Sequence, residues 1–317
     1  ARMTNAKPIL VTGATGYVSG RLIPLLLANG YKVKAMGRSI PKMKDRPWGQ
    51  DQNVELVKGD IQDVASLNNA AKGCGAVYYL VHSMISQKEK YRDADKNGAM
   101  NMVQAALEQG VKHIIYLGGL GDITHKNISK HLISRNEVGK ILMEGPVPAT
   151  VLRAAMILGS GSASFEILRY LAERLPIMIT PKWVRMPTQP ISITNVLGYL
   201  IGCLEHPETK DRTFDIGGPD VVAYHDLFRV FAKTAHLSVP FMIPVPVLTP
   251  RLSSLWIHLV TPVPAAIAQP LTEGLSLPTT CTEDRITRII EQDLISCEEA
   301  IRRALERVEQ EQVDTCW

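Results

Sequence analysis

The sequence is short of cysteine, of charge concentrated in one sign, and of uninterrupted apolar runs, and each shortage removes a class of protein. Its five cysteines, Cys74, Cys203, Cys281, Cys297 and Cys316, are odd in number, far apart and never spaced CxxC. That pattern excludes a disulfide framework and offers no thiolate set for zinc, so a reducing, cytoplasmic compartment is expected. His113, His125 and His131 also lack ligand spacing, and no metal is expected. Lys plus Arg number 35 against 31 Asp plus Glu, a net charge of +4, with the signs interspersed. This balance suits an anionic small ligand and gives no nucleic-acid surface. Ala1-Arg2-Met3-Thr4-Asn5 has no apolar signal core, and the residues before Met3 read as an added remnant, so secretion is not expected. No serine sits in a G-x-S-x-G elbow, which excludes Ser-His-Asp hydrolysis; Gly159-Ser-Gly-Ser162 reads as a flexible loop.

Long hydrophobic stretches are missing too. Phe241–Leu271 carries Arg251 as its only formal charge in 31 residues, yet Pro244, Pro246, Pro250, Pro262, Pro264 and Pro270 interrupt it. A spanning helix needs about 20 consecutive apolar residues, and this proline spacing opposes one. Buried packing of a smaller lobe, an apolar substrate wall or a membrane-touching surface remain as readings, with Trp256 and Leu259 as the residues to probe.

What is present is alternation. Short apolar runs at Ile9–Thr12, Val33–Met36, Val54–Val57, Ala76–Val81, His113–Leu117 and Thr150–Arg153 are separated by helix-period stretches such as Val18–Ala28, Lys96–Gln109 and Arg135–Met143. Strand-helix repetition of this kind predicts an α/β fold, a doubly wound parallel Rossmann sheet covered on both faces. Pro190–Ile193 and Thr213–Ile216 read as further strands, and Thr194–Leu204 and Tyr224–Ala235 as helices. The expected division is a dinucleotide-binding domain over 1–158, completed by 189–217, with 159–188 and 218–317 forming a smaller C-terminal substrate lobe. Ser296-Cys-Glu-Glu299 has capping-box spacing and opens a last helix through about Val308.

Ile9-Leu-Val-Thr-Gly13-Ala-Thr-Gly16-Tyr-Val-Ser19-Gly20 sets a glycine turn between an apolar strand and a helix. In that context Gly13 permits the tight turn, Gly16 lets backbone approach a pyrophosphate, and the phosphate charge meets a helix N-terminus. Thr12, Thr15, Tyr17 and Val18 surround the turn, and Leu80 and Val81 end the fourth run; all are candidate cofactor contacts. The second run ends Gly37-Arg38-Ser39, with no acidic residue before Asp45. An acid there would hold the ribose 2′-hydroxyl of NAD; Arg38, with Ser39 as a second donor, suits the 2′-phosphate of NADP(H) instead. Asp60 and Ile61 follow the third run, at the edge where adenine would lie.

With these residues assembled, the chain resembles the atypical, NmrA-like, NAD(P)H-binding branch of the short-chain dehydrogenase/reductase superfamily. The carriers are Val11-Thr-Gly-Ala-Thr-Gly16-Tyr-Val18, Gly59-Asp60-Ile61, Asn97, Ile115-Tyr-Leu117, Leu152-Arg153, Ile191-Ser-Ile-Thr-Asn195-Val196 and Phe214-Asp-Ile-Gly-Gly-Pro219. Tyr79-Leu-Val-His-Ser-Met84 and Gly159-Ser-Gly-Ser-Ala-Ser-Phe165 look like a bacterial subgroup of its oxidoreductases. The resemblance implies the fold and the cofactor. It does not carry the reaction, because the superfamily's Ser or Thr after strand five is replaced by Gly118 and Gly119, and its Tyr-x-x-x-Lys is absent. Ser134-Arg135 stands where atypical members have Ser-Lys, 18 residues before Arg153, with His131 in the tyrosine position. Taking Ser129-Lys130 as the pair would lengthen that spacing to 23 residues.

Arg135 can supply charge and ribose hydrogen bonds but no tunable proton, while His131, one turn earlier, is the candidate donor near neutral pH. The blander reading makes both structural. His82 and Ser83, ending strand four, are second candidates, His82 as a catalytic residue. The leading expectation is an NADP(H)-dependent reductase of an apolar small molecule such as a carbonyl, enone or quinone. The alternatives are an NADP(H)-binding sensor or assembly protein without turnover, and a non-redox use of bound cofactor such as epimerisation.

Overall fold

The structure, a computed structural model, describes residues 7–81, 90–125, 128–245, 257–274 and 277–310. Seven strands, all paired in parallel, make the central sheet: β1 (Ile9–Thr12), β2 (Val33–Gly37), β3 (Val54–Lys58), β4 (Ala76–Tyr79), β5 (Ile114–Gly119), β6 (Ala149–Ala154) and β11 (Arg212–Ile216). Their order is β11-β6-β5-β4-β1-β2-β3. The chain therefore winds outward from β1 in one direction and then, from β4, in the other. Ile9 pairs with Val33 on one side and Ala76 on the other. A crevice opens at the carboxyl ends of β1 and β4, where the winding reverses.

Strand alternation explains why the sheet is covered on both faces. Ile9, Val11, Ala35, Tyr78, Ile115 and Leu117 point into one apolar cluster, and Leu10, Met36, Val77, Tyr79, Ile114 and Tyr116 into the other. The first face is closed by α1 (Tyr17–Ala28) and α7 (Ile193–Glu205), with Met43 of the short α2 (Ile40–Lys44). The second is closed by α3 (Val64–Ala71), α4 (Lys90–Glu108) and α5 (Lys130–Glu144). A third cluster forms away from the sheet, where α6 (Ala163–Arg174), α8 (Tyr224–Thr234) and α10 (Cys297–Glu309) meet around Phe165, Phe231 and Ile301, with Ile267 and Ala268 of α9 (Ala265–Gly274).

Two-stranded ladders frame this third cluster. β7 (Ile157–Leu158) pairs with β10 (Ile191–Ser192), β8 (Ile177–Pro181) with β13 (Phe241–Val245), and β9 (Pro187–Thr188) with β12 (Val222–Ala223). Of the two strands expected beyond residue 189, only Thr213–Ile216 joins the large sheet. The other stops at Ser192, whose Oγ accepts from Thr194 N at 3.2 Å and caps α7. Helix starts also differ from expectation. α5 begins at Lys130, five residues before Arg135, because Ser129 Oγ accepts from Leu132 N at 3.1 Å. α4 begins at Lys90 and not at Lys96. Strand four ends at Tyr79 and not at Val81, since Leu80 N turns to Thr12 Oγ1 at 3.0 Å. Ser296 does cap the last helix, accepting from Glu299 N at 3.3 Å, but the Glu299 carboxylate binds Arg302 and Arg303. Among the described residues, no helix is long and apolar enough to cross a membrane.

Candidate functional site

The glycine turn is tightly built. Gly13 takes φ +61°, which L side chains rarely adopt, and a Cβ there would stand 3.1 Å from Leu80 O. Gly16 N donates to Gly13 O at 2.8 Å, and a Cβ on Gly16 would stand 3.0 Å from that oxygen. Where a third glycine is usual, Ser19 is buried and its Oγ donates to Thr12 O at 3.2 Å, which still lets α1 lie close to β1. The turn is thus a concave backbone surface at a helix N-terminus, the shape and polarity that suit a pyrophosphate.

This turn forms one end of a cavity of about 930 Å³ running along the crevice. Gly13, Thr15, Gly16, Tyr17, Val18, Arg38, Asp60, Ile61, Leu80 and Val81 all line it. Two sequence candidates do not. Thr12 is buried beneath the turn, its Oγ1 donating to Tyr78 O at 3.1 Å, so it ties β1 to β4. Ser39 caps α2, accepting from Lys42 N at 3.4 Å, and stands outside the cavity wall. Arg38 is exposed at the rim, and no acidic group pairs with it among the described residues.

Farther along, α5 presents His131 and Arg135 to the same cavity. Arg135 Nη2 donates to Leu117 O at 2.6 Å, at the end of β5, while its buried Nε has no hydrogen-bond partner. Gly119 leaves room for this approach: a Cβ on it would meet Leu132 Cδ1 at 2.8 Å and Arg135 Nε at 3.5 Å. Tyr116 OH donates to Arg135 O at 3.2 Å, and burial raises its pKa against the lowering effect of Arg135. Ser134 turns away to Asp95 at 3.0 Å, and Lys130 is exposed outside the cavity wall, so Arg135 is the cation of this helix that faces the crevice.

His131 does not meet the expectation of a proton donor near neutral pH. Desolvation first, and the Arg135 charge second, pull its pKa down to about 3. The imidazole is neutral at physiological pH and has no acidic proton to give there. His82 and Ser83 lie outside the described residues, as does Trp256.

The far end of the cavity is apolar. Met156, Ile157, Leu168, Leu171, Leu227, Phe228, Ile257, Ile267 and Leu271 line it, with Tyr224, Thr272 and Thr279 as polar points. Part of the nearly uncharged Phe241–Leu271 stretch therefore does form cavity wall, but Leu259 does not, being 83% exposed. Most of this wall, such as Leu168, Phe228 and Thr279, carried no signal in the sequence. Gly159-Ser-Gly-Ser162, expected as a flexible loop, is an ordered turn. Ser162 Oγ accepts from Phe165 N at 3.2 Å and caps α6, Glu166 Oε1 accepts from Gly161 N at 2.7 Å, and Gly159 leaves room for the Tyr17 hydroxyl.

Comparison with known proteins gives the same picture from outside. Residues 5–169 match the model of the NmrA-like family. The chain is 30% identical over 121 residues to cinnamoyl-CoA reductase 1 of Arabidopsis thaliana, 37% of this chain and 35% of that protein. It is 26% identical over 214 residues to the photosystem II assembly factor Ycf39 of Trieres chinensis, 66% of this chain and 63% of that one. The matched regions thus span from about a third to less than two thirds of these curated relatives' lengths. Among solved structures, the Citrobacter sp. triphenylmethane reductase complexed with NADP(H) superposes with a TM-score of 0.72 at 20% identity, covering 94% of this chain and 99% of that one.

Proposed function

The chain belongs to the NmrA-like family, the atypical NAD(P)H-binding branch of the short-chain dehydrogenase/reductase superfamily, and from that premise we propose that it is an NADP(H)-dependent reductase of an apolar small molecule, a carbonyl, enone or quinone. One observation carries the reading. A single cavity joins a phosphate-shaped glycine turn and Arg38 at one end to an apolar wall at the other that, among the described residues, carries no charged side chain. NADPH bound at the turn would supply a hydride to an acceptor lying against that wall. The turn and the α1 N-terminus hold the pyrophosphate, Arg38 pairs with the 2′-phosphate, and Asp60 and Ile61 border the adenine. The apolar wall excludes water and selects an uncharged substrate. In this reading residues 1–158 with 189–217 form the cofactor domain, and 159–188 with 218–317 the substrate lobe. A cytoplasmic setting accords with Cys203, Cys281 and Cys297, free thiols whose pKa burial pushes up to about 12.

The test is rapid mixing of the protein with NADPH and a panel of quinones, enones and unconjugated carbonyls, following loss of reduced-nicotinamide absorbance. Oxidation by at least one acceptor is expected. A second reading, an NADP(H)-binding assembly protein without turnover, is favoured by the similarity to Ycf39 and by the missing Tyr-x-x-x-Lys. Tight NADPH binding with no acceptor reduced would establish it in place of the first.

A further inference from the structure

Arg135 is placed as an oxygen receptor. Its guanidinium is anchored through Nη2 on Leu117 O at 2.6 Å, its Nε is buried with no hydrogen-bond partner, and no carboxylate pairs with it among the described residues. Gly119 keeps a side chain out of the space beside it; a Cβ there would sit 3.5 Å from Nε. A buried donor left unpaired is destabilising, and one held rigidly in a dry cavity stabilises a negative oxygen strongly. The groups around it are poor acids. Tyr116 OH is committed to Arg135 O, and His131 is neutral.

Among the described residues, Arg135 and the two groups beside it therefore offer an oxygen a fixed positive charge but no ready proton. Hydride addition to an isolated carbonyl leaves an alkoxide, whose conjugate acid is nearly as weak as water itself, and this product needs an internal donor. Hydride addition to a quinone or enone leaves a phenolate or enolate, and a phenol resembles tyrosine, about 10. We propose that the Arg135 guanidinium is the oxyanion donor of this cavity and that the acceptor reduced there is conjugated, a quinone or enone, whose oxygen takes its proton from solvent as the product leaves.

The proposal rests on the reductase reading and narrows it. The acceptor gains a hydride from NADPH, its π pair moves onto oxygen, the oxyanion rests on Arg135, and solvent water protonates it as the product leaves, the enol from an enone then passing to its ketone. NADPH is oxidised to NADP⁺, and the quinone becomes a hydroquinone or the enone a saturated ketone.

The test reads ionisation as well as turnover. 4-Nitrophenol, titrated by its phenolate absorbance in the protein–NADP⁺ complex, is expected to ionise about tenfold to a hundredfold more readily than in water, the range of a charge-assisted hydrogen bond. Arg135→Gln should abolish that gain. Arg135→Lys, which keeps the charge without the fork, should retain part of it and shows that the site still folds. Quinones and enones should be reduced at least about a hundredfold faster than unconjugated ketones, the lower end of what a missing general acid costs. An unshifted nitrophenol in the wild-type complex, or a shift that survives Arg135→Gln, overturns the proposal. Reduction of simple ketones as fast as quinones overturns it too but leaves the reductase reading standing. NADPH binding with no acceptor reduced removes the reductase reading, and the substrate assignment with it.

Discussion

Single residues decide the charge logic of this protein. Arg38, exposed at the rim and without an acidic partner among the described residues, would under the proposed function meet a phosphate that NADPH carries and NADH lacks. Binding of NADPH is expected to exceed that of NADH by about tenfold or more, from a charge-assisted bond of about 1.5–3 kcal/mol. Arg38→Ala should erase the difference in cofactor titrations, and equal wild-type affinities would refute the assignment. Two histidines, one buried and one half-buried at the cavity, set a different response. His113, bonded through Nε2 to Thr150 Oγ1 at 2.7 Å, is drawn to a pKa of about 4 by burial and then Lys210, and His131 to about 3. Unfolding returns both rings to about 6.5. Between those values the unfolded chain binds more protons, so these two rings lower stability as pH falls below about 6.5 and leave it level above. Each contributes up to about 1.4 kcal/mol per pH unit. Urea titrations from about pH 7 to about pH 5 should show the fall, and His113→Gln should shallow it by one histidine's share. An unchanged slope would show that His113 titrates normally.

At the scale of elements, the caps place the site. Ser129 starts α5 early enough that His131 and Arg135 both lie on helix and face the cavity. Ser129→Ala removes the acceptor of Leu132 N and is expected to cost about 1 kcal/mol, read by chemical denaturation. Fraying of that first turn should also loosen Arg135 and weaken the nitrophenol shift. A variant as stable as wild type would show that the cap is redundant. Strand positions were legible from alternation, because side chains of a strand point alternately to two faces whatever its partners. Helix starts were less so. The capping serines at 129 and 192 resemble any loop serine until the backbone turns toward them.

Across the whole molecule, one buried carboxylate joins the two strands at one edge of the sheet to each other and to the segment at Thr282. Asp215 on β11 accepts from Arg153 Nε at 2.8 Å, and its other oxygen from Thr282 N at 2.9 Å and Thr282 Oγ1 at 2.8 Å. Its side chain is fully buried, whereas Arg153 is 26% exposed. Breaking a buried pair by altering one partner costs about 3–5 kcal/mol. Asp215→Asn is expected near the low end, about 3 kcal/mol, because Arg153 keeps some water. NADPH affinity should be unchanged, as the glycine turn lies across the sheet. A loss below about 1 kcal/mol in urea unfolding would mean that the carboxylate's partners rearrange.

The sequence by itself determined the parallel sheet, its glycine turn and the arginine at the end of strand two, since each rests on short-range chemistry: alternation, a residue permitted at positive φ, a charge where an acid would otherwise stand. It also located Arg135, by spacing from Arg153. Tertiary structure decided the rest. Ser39 was diverted to a helix cap, the strand at 191–192 paired away from the large sheet, and the apolar wall came together from α6, α8 and α9. It also removed the proton expected of His131, because desolvation and a neighbouring guanidinium are properties of what surrounds a residue in space. Local pattern fixes which atoms a segment offers, while burial and electric field depend on segments far away along the chain.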